Sequence, residues 1–286
     1  IPEYEQYART MWRQMPRILE VLGRRFGEYP FFEDKFAVAH APYYGMEHQT
    51  LVAYGALFTD NAYGFDDLLL HEVAHEWWGN KVTVSDWAHF WIQEGFASYA
   101  EALYVLDTLG ESRYLEYMAR LRQRVDNRRP LVRGENMTSA GAYSGDIYFT
   151  GAWVLHSLRW LIGDDAFFEA IWRFSSDREF AYGLVSSDDF IGLVHEVSGR
   201  DIEWFWERYL YRAEEPKWRL KRRLEGDRER VTVSWDDPAF EMALPMTVGG
   251  EERRLEMVGG SASFLVDPGT PLEIDAGGRV LASPAR

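Results

Sequence analysis

The chain has 286 residues and a mass of 33.3 kDa, which is enough for one large domain or two ordinary ones. Hydrophobic residues make up 47% of the chain and aromatic residues 16%, and this composition excludes a disordered protein. The net charge of −15 argues against nucleic acid as a partner, the absence of cysteine excludes disulfides and thiolate ligands, and no apolar run approaches the roughly 20 residues of a membrane span.

Helical periodicity dominates the chain up to about residue 212, and a small sheet is predicted near its start. In chain order, the predicted elements of this part are a helix over 4–26, strands over 36–39 and 50–53, a helix that begins at Asp66 and Asp67, and helices over 90–109, 111–125, 147–162, 165–175, 187–198 and 201–211. Gly, Pro, Asp or Ser bounds each of these helices, as is typical of helix ends.

The pattern changes after Pro216, where short runs of alternating apolar and polar residues replace the helical spacing. These predicted strands are 217–224, 230–235, 242–248, 253–257, 263–266 and 272–274. Turn pairs such as Gly-Asp, Asp-Pro, Gly-Gly and Pro-Gly separate them. The sequence therefore predicts an α+β chain that is mostly helical over 1–212 and ends in a small β-sandwich domain over 213–286.

A candidate metal site lies in the helix that follows Asp67. His71 and His75 are four residues apart, so both imidazoles project from one helix face and can reach one ion at about 2.0–2.1 Å. Glu94 follows His75 after 18 intervening residues, which leaves room for a second helix to return a third ligand. Two histidines and one glutamate leave a coordination position for water, as in catalytic zinc sites. We expect one zinc ion, although the same donors can hold other divalent ions.

Four short motifs occur in a characteristic order and spacing. They are Tyr44-Gly45-Met46-Glu47-His48-Gln49, H-E-x-x-H-x18-E with the tail Trp77-Trp78-Gly79-Asn80, Glu94-Gly95-Phe96-Ala97-Ser98-Tyr99, and Tyr148-Phe149-Thr150-Gly151-Ala152. Together they resemble the motifs of the gluzincin zinc aminopeptidases related to aminopeptidase N and to the leukotriene epoxide hydrolase. The resemblance is clear over about 40–165, and it implies a thermolysin-like metallopeptidase domain and an enzyme that hydrolyses peptides with a free N-terminus.

The resemblance also implies a role for several residues. Glu72 stands beside a ligand without being one, and is expected to act as the general base. Tyr148 resembles the family tyrosine that donates a hydrogen bond to the oxyanion. Glu47 is expected to pair with the α-ammonium group of the substrate, which makes the enzyme an exopeptidase, and Gly45 and Met46 belong to the same substrate-binding strand.

Two further residues complete the expected site. Glu101 lies two turns after Glu94 on one helix face, and is expected to accept the free N–H of a zinc-bound imidazole, with a surface carboxylate as the alternative. Tyr143 precedes Tyr148 by five residues and is expected to line the substrate pocket. The histidines outside the zinc motif are interpreted as structural or surface residues, with His48 close to the site.

The chain departs from the family pattern in three places. His48 stands where the family usually has Asn, and Thr150 where it usually has Lys. Only about forty residues precede Tyr44, where family members carry an N-terminal β-domain. We therefore expect a more open site, with an apolar face that a partner chain or a second copy covers. The open alternatives are a zinc endopeptidase, an epoxide hydrolase, or a zinc-containing peptide-binding module without turnover, and the cellular compartment is left open.

Overall fold

A computed structural model describes residues 1–285 of the chain. The α-helices are α1 (Glu5–Met11), α2 (Met15–Phe26), α3 (Asp67–Ala74), α4 (Trp91–Leu109), α5 (Glu111–Arg122), α6 (Ser139–Ala142), α7 (Gly145–Ile162), α8 (Asp164–Ser176), α9 (Ser187–Ser198) and α10 (Glu203–Leu210). The strands are β1 (Ala37–His40), β2 (Gly45–Met46), β3 (Leu51–Tyr54), β4 (Val82–Val84), β5 (Gly183–Val185), β6 (Lys217–Glu225), β7 (Arg228–Trp235), β8 (Leu244–Val248), β9 (Glu251–Leu255), β10 (Ser261–Val266), β11 (Leu272–Ile274) and β12 (Ser283–Pro284).

A small sheet of order β1-β3-β2 lies beside helix α3. Strand β1 pairs with β3 in parallel, whereas β2 pairs with β3 in antiparallel fashion, with Gly45 opposite Tyr54. The hydroxyl of Tyr54 donates to Asp66 Oδ2 at 2.5 Å, and Asp66 Oδ1 accepts from the Leu69 backbone N–H as the cap of α3. One aspartate therefore joins the sheet to the start of the helix that carries His71.

Helix α4 forms the centre of the helical part, and it is buried over most of its length. A helix that is apolar on all sides belongs in a core. Helix α7 packs along it at Gly95 and Gly151, where an added Cβ on Gly151 would lie 2.9 Å from the Cα of Gly95. The absence of both side chains is what allows the two backbones to approach so closely.

The last part of the described chain contains two sheets, of order β10-β7-β6-β12 and β11-β8-β9. Side chains of β7 and β8 alternate between buried and less buried, as expected for strands with one face in a core. Hydrogen bonds tie this part to the helices: His156 Nε2 donates to the Gly278 carbonyl at 2.8 Å, and Trp160 Nε1 donates to the Ala243 carbonyl at 2.9 Å.

Most elements lie within a few residues of their predicted positions. The differences are an interruption of the first helix and four short elements that were not predicted, α6, β4, β5 and β12. The helix predicted over 4–26 is interrupted by a 3₁₀ turn at Trp12–Gln14, because Pro16 has no N–H to continue the α-helical ladder. Strands β4 and β5 were not predicted, since each has three residues and its partner lies about a hundred residues away. Over residues 1–285, no helix combines the length and the apolar character that crossing a membrane requires.

Candidate active site

Three side chains from two helices converge on one point. His71 comes from α3, His75 from the residue that caps its C-terminus, and Glu94 from the first turn of α4. The two Nε2 atoms are 3.1 Å apart, and each lies 3.3 Å from Glu94 Oε2. A tetrahedral ion with ligand bonds of about 2.0–2.1 Å has ligand–ligand edges of about 3.3–3.4 Å. The three donor atoms therefore fit a zinc ion without rearrangement.

The outer ring nitrogens show which atoms of the two histidines face the centre. His71 Nδ1 lies 2.9 Å from Glu101 Oε1, and His75 Nδ1 lies 2.8 Å from the Trp78 carbonyl oxygen. A carbonyl and a carboxylate oxygen accept, so both Nδ1 atoms carry the proton and both Nε2 atoms present a lone pair. Two lone pairs that face each other at 3.1 Å need a cation between them, which supports a metal at this point.

The partner of His71 is itself held by a neighbouring helix. The hydroxyl of Tyr117 in α5 donates to Glu101 Oε2 and also lies 3.1 Å from Asp67 Oδ1. Asp67 in turn accepts from Arg120 at 2.6 Å. Such outer contacts fix the tautomer and orientation of a metal-binding histidine. Sequence reasoning identified Glu101 but missed Tyr117, since an apolar helix position occupied by tyrosine carries no local signal of this contact.

The tail Trp77–Asn80 makes two contacts at the site that the sequence alone did not reveal. The Trp78 carbonyl orients His75, while Asn80 Nδ2 donates to the backbone carbonyl of Glu47 at 3.0 Å. Between them, Gly79 adopts φ +134°, a conformation that L side chains rarely adopt. The tail thus connects one metal ligand to the segment that carries the expected amine anchor.

Glu72 lies beside the metal ligands, and its side chain is buried. Burial raises the pKa of its carboxyl group to about 7, against the opposing effect of the two histidines. A Cβ on Gly45 would lie 2.2 Å from Glu72 Oε1, so only glycine allows strand β2 to pass this close to the carboxylate. Carboxylate oxygens of Glu47 and Glu72 and a ring nitrogen of His75 lie within 4.8 Å of one another. The expected base and the expected amine anchor are therefore neighbours.

Tyr148 lies on the other side of the centre, on helix α7. Its ring is stacked 5.8 Å from the ring of His71, and the side chain is half-buried. Burial, with the negative charge of Glu94, raises its pKa above the ordinary tyrosine value, so the phenol keeps its proton at neutral pH. For Glu94, the effect of burial is outweighed by its interactions with His75 and His71, which lower the pKa of its carboxyl group to about 2. Tyr143 is partly exposed, and the partial burial of its phenol raises the pKa to about 12.

These groups line one cavity of about 480 Å³. Its walls include the predicted site residues Gly45, Met46, Glu47, His71, Glu72, His75, Glu94, Glu101, Tyr143 and Tyr148. They also include Tyr44 and Phe149 from the sequence motifs, and Arg124, which the sequence did not point to. A second cavity of about 620 Å³ adjoins it and shares Tyr44, Asp67, Leu68 and Arg120. His48 is outside both walls, and Thr150 is buried with its hydroxyl donating to Asp146.

Comparison with known proteins gives a consistent result. The profile of the peptidase family M1 domain matches residues 14–209 of this chain. Aminopeptidase N of Streptomyces lividans is 27% identical over 194 residues, which are 64% of this chain but 22% of that protein. The chain thus spans less than a quarter of the length of this relative.

Two solved structures show the same arrangement of elements. An M1 zinc metallopeptidase mutant from Deinococcus radiodurans bound to a Tyr-Ser-Ala substrate is 29% identical, with a TM-score of 0.59 over 69% of this chain and 43% of that one. Aminopeptidase A of Legionella pneumophila has a TM-score of 0.75 over 95% of this chain and 34% of that one. At 16% identity, the second likeness bears on the fold alone.

Proposed function

The chain belongs to peptidase family M1, and on this basis we propose that it is a zinc-dependent aminopeptidase. The observation that carries the proposal is the convergence of His71 Nε2, His75 Nε2 and Glu94 Oε2 at 3.1–3.3 Å, in one cavity with the carboxylates of Glu72 and Glu47. The names of the relatives, aminopeptidase N and zinc metallopeptidase, support the same activity.

His71, His75 and Glu94 would hold the zinc ion. When bound, zinc lowers the pKa of a water ligand to about 7 and polarises a carbonyl group. Glu72 then has the position of a general base, since its buried carboxylate can take a proton from water and pass it to the leaving amine. Tyr148 keeps its phenolic proton and can donate it in a hydrogen bond to the oxygen that gains negative charge as the peptide carbonyl is attacked.

Glu47 would decide that hydrolysis takes place at the N-terminus. Its carboxylate lines the cavity next to Glu72, and the Asn80 hydrogen bond fixes its backbone. A substrate α-ammonium group paired with Glu47 places the first peptide bond over the metal ligands. We expect this pairing to make a free N-terminus necessary for efficient hydrolysis.

The experiment that tests the proposal compares one peptide in two forms, with a free and with an acetylated N-terminus. We expect the zinc-loaded protein to hydrolyse the free form alone, and a Glu72→Gln variant with the same zinc content to hydrolyse neither. Hydrolysis of both forms would identify an endopeptidase. Zinc bound at one equivalent without hydrolysis of either form would favour a peptide-binding module and contradict the proposed activity.

We also propose that residues 213–286 form a small β-sandwich appended to a catalytic domain over 1–212. The two sheets β10-β7-β6-β12 and β11-β8-β9 contribute buried side chains to a common core, among them Val233, Met246 and Val266. The apolar side chains of Tyr43, Tyr44 and Leu57 are exposed, and those of Tyr44 and Leu57 line the second cavity. Association of these side chains with a partner chain or a second copy stays a prediction.

A further inference from the structure

One arginine of the active-site cavity is not used by the proposed mechanism. Arg124 lies two residues after the end of α5, and it lines the same cavity as His71 and Glu72. Its guanidinium carbon is 3.9 Å from the ring centroid of Phe149, and the side chain is exposed to solvent. A charged group at the mouth of a substrate cavity has the position needed to select substrates.

The donors of Arg124 are free. Arg120, one turn earlier and also in the cavity wall, is committed to Asp67 at 2.6 Å. Within residues 1–285, by contrast, no carboxylate forms an ion pair with Arg124 and no side-chain hydrogen bond involves it. The contact with the Phe149 ring depends on the positive charge rather than on an N–H donor. Phe149 therefore restricts the guanidinium without using its hydrogen-bonding capacity.

A restricted guanidinium with free donors is a good receptor for a carboxylate. Its planar set of N–H groups can form two parallel hydrogen bonds with the two carboxylate oxygens. The distance to the reaction centre is also suitable. The ring centroids of His71 and Tyr148 are 5.8 Å apart, and those of Tyr148 and Phe149 are 6.0 Å apart. The guanidinium carbon of Arg124 is 3.9 Å from the Phe149 centroid. Arg124 thus lies within about five extended residues of the metal ligands.

The charges of the cavity walls make this position distinctive. Carboxylates dominate the lining, with Glu47, Asp67, Glu72, Glu94 and Glu101 against Arg120 and Arg124. A negatively charged group of a substrate is repelled by most of this lining, and Arg120 is already neutralised by Asp67. Among the charged side chains of the described wall, Arg124 is the guanidinium that no carboxylate pairs with.

We propose that Arg124 is a specificity-determining residue that binds a carboxylate of the peptide substrate, an inference that rests on the proposed aminopeptidase function. The carboxylate has two sources, an acidic side chain near the N-terminus or the C-terminus of a short peptide. Both present the same chemistry to the guanidinium, so matched substrates are needed to tell them apart.

The test measures kcat/KM on two kinds of matched pair. In the first, a tripeptide with a free C-terminal carboxylate is compared with its C-terminal amide. In the second, peptide amides carry Glu or Gln at position one, two or three. The proteins are wild type, Arg124→Gln, and Arg129→Gln as the control, since Arg129 is also exposed on the same loop but lies outside the cavity wall.

We expect wild type and Arg129→Gln to prefer the carboxylate member of one pair by about tenfold or more, as a charge-assisted hydrogen bond allows. In Arg124→Gln this preference should fall to within about twofold. The pair that responds identifies the source of the carboxylate. Equal hydrolysis of both members by wild type, or a full preference in Arg124→Gln, would overturn the inference.

Binding measurements keep this result separate from the proposed activity. Calorimetry of the same pairs with Glu72→Gln, and with Glu72→Gln combined with Arg124→Gln, reports the carboxylate preference without turnover. Absence of hydrolysis by wild type contradicts the aminopeptidase function. A carboxylate preference in binding that disappears with Arg124→Gln still supports the role of Arg124, and a preference that persists refutes it.

Discussion

The close approach of α4 and α7 predicts an unusual effect of a Gly→Ala substitution. In a helix interior, alanine is favoured over glycine by about 1 kcal/mol, so Gly→Ala normally stabilises. At Gly151 the new Cβ would meet the Cα of Gly95 at 2.9 Å, and ordinary contact requires a separation larger by about 0.5–1 Å. Overpacking of this kind costs about 1–3 kcal/mol. We therefore expect Gly151→Ala to destabilise the protein, by up to about 3 kcal/mol.

The same displacement would affect the reaction centre. Tyr148 is on α7, whereas Glu94 and its neighbour Gly95 are on α4, so separating the helices moves the phenol relative to the metal ligands. A misplacement of about 1 Å can cost about 10²-fold in rate. Because the three metal ligands come from α3, its C-cap and α4, and none comes from α7, we expect zinc content to stay at one equivalent while kcat falls about 10–100-fold.

Thermal unfolding, zinc content and kcat are measured beside Gly192→Ala. Gly192 is interior to α9, and an added Cβ there meets nothing within 4 Å, so this control should stabilise the protein by up to about 1 kcal/mol. For a chain of this size, the melting temperature of Gly151→Ala should fall by up to about 5 °C. If Gly151→Ala matches the control in melting temperature and wild type in kcat, the two helices are not in the contact described here.

Three further outcomes are expected. Tyr148→Phe should lower kcat by about 10²–10³-fold with zinc retained, and a loss under threefold in steady-state assays would exclude the phenol as an oxyanion donor. Glu101→Ala should weaken zinc binding by about 10–100-fold in competition with a chelator, because the Nδ1 proton of His71 loses its acceptor, and unchanged affinity would argue against this contact. Burial lowers the pKa of His156 to about 3, so the folded protein keeps this ring neutral and its stability is lost as the pH falls from about 6.5 toward 3. At pH 4.5 this amounts to about 3 kcal/mol relative to neutral pH, and it should be absent from denaturant unfolding curves of His156→Gln; equal acid sensitivity of both proteins would contradict it.

The predicted elements and the structure agree best where the signal is local. The helices over 91–109 and 187–198 were predicted almost to the residue. Apolar periodicity marks their length, and Gly or Ser residues mark their boundaries. The pair β4 and β5 was missed, because three-residue strands acquire their identity only from a partner far along the chain. The interruption of the first helix was also missed, although Pro16 was visible in the sequence.

The sequence by itself determined the identities and the spacing of the metal-binding residues. A four-residue spacing on one helix brings His71 and His75 together whatever the rest of the chain does, because helix geometry is local. The order of the motifs likewise indicated the family and the roles expected of Glu47 and Tyr148.

Only the tertiary structure decided which groups surround these residues. Tyr117 holds Glu101, Asn80 holds the Glu47 backbone, and Arg124 faces the cavity from beyond α5, and each of these contacts joins elements that the sequence separates. Orientation of a side chain relative to a distant partner depends on how helices and strands pack, and no local pattern encodes that packing. For the same reason, the close contact of Gly95 with Gly151 became apparent only when α4 and α7 lay side by side.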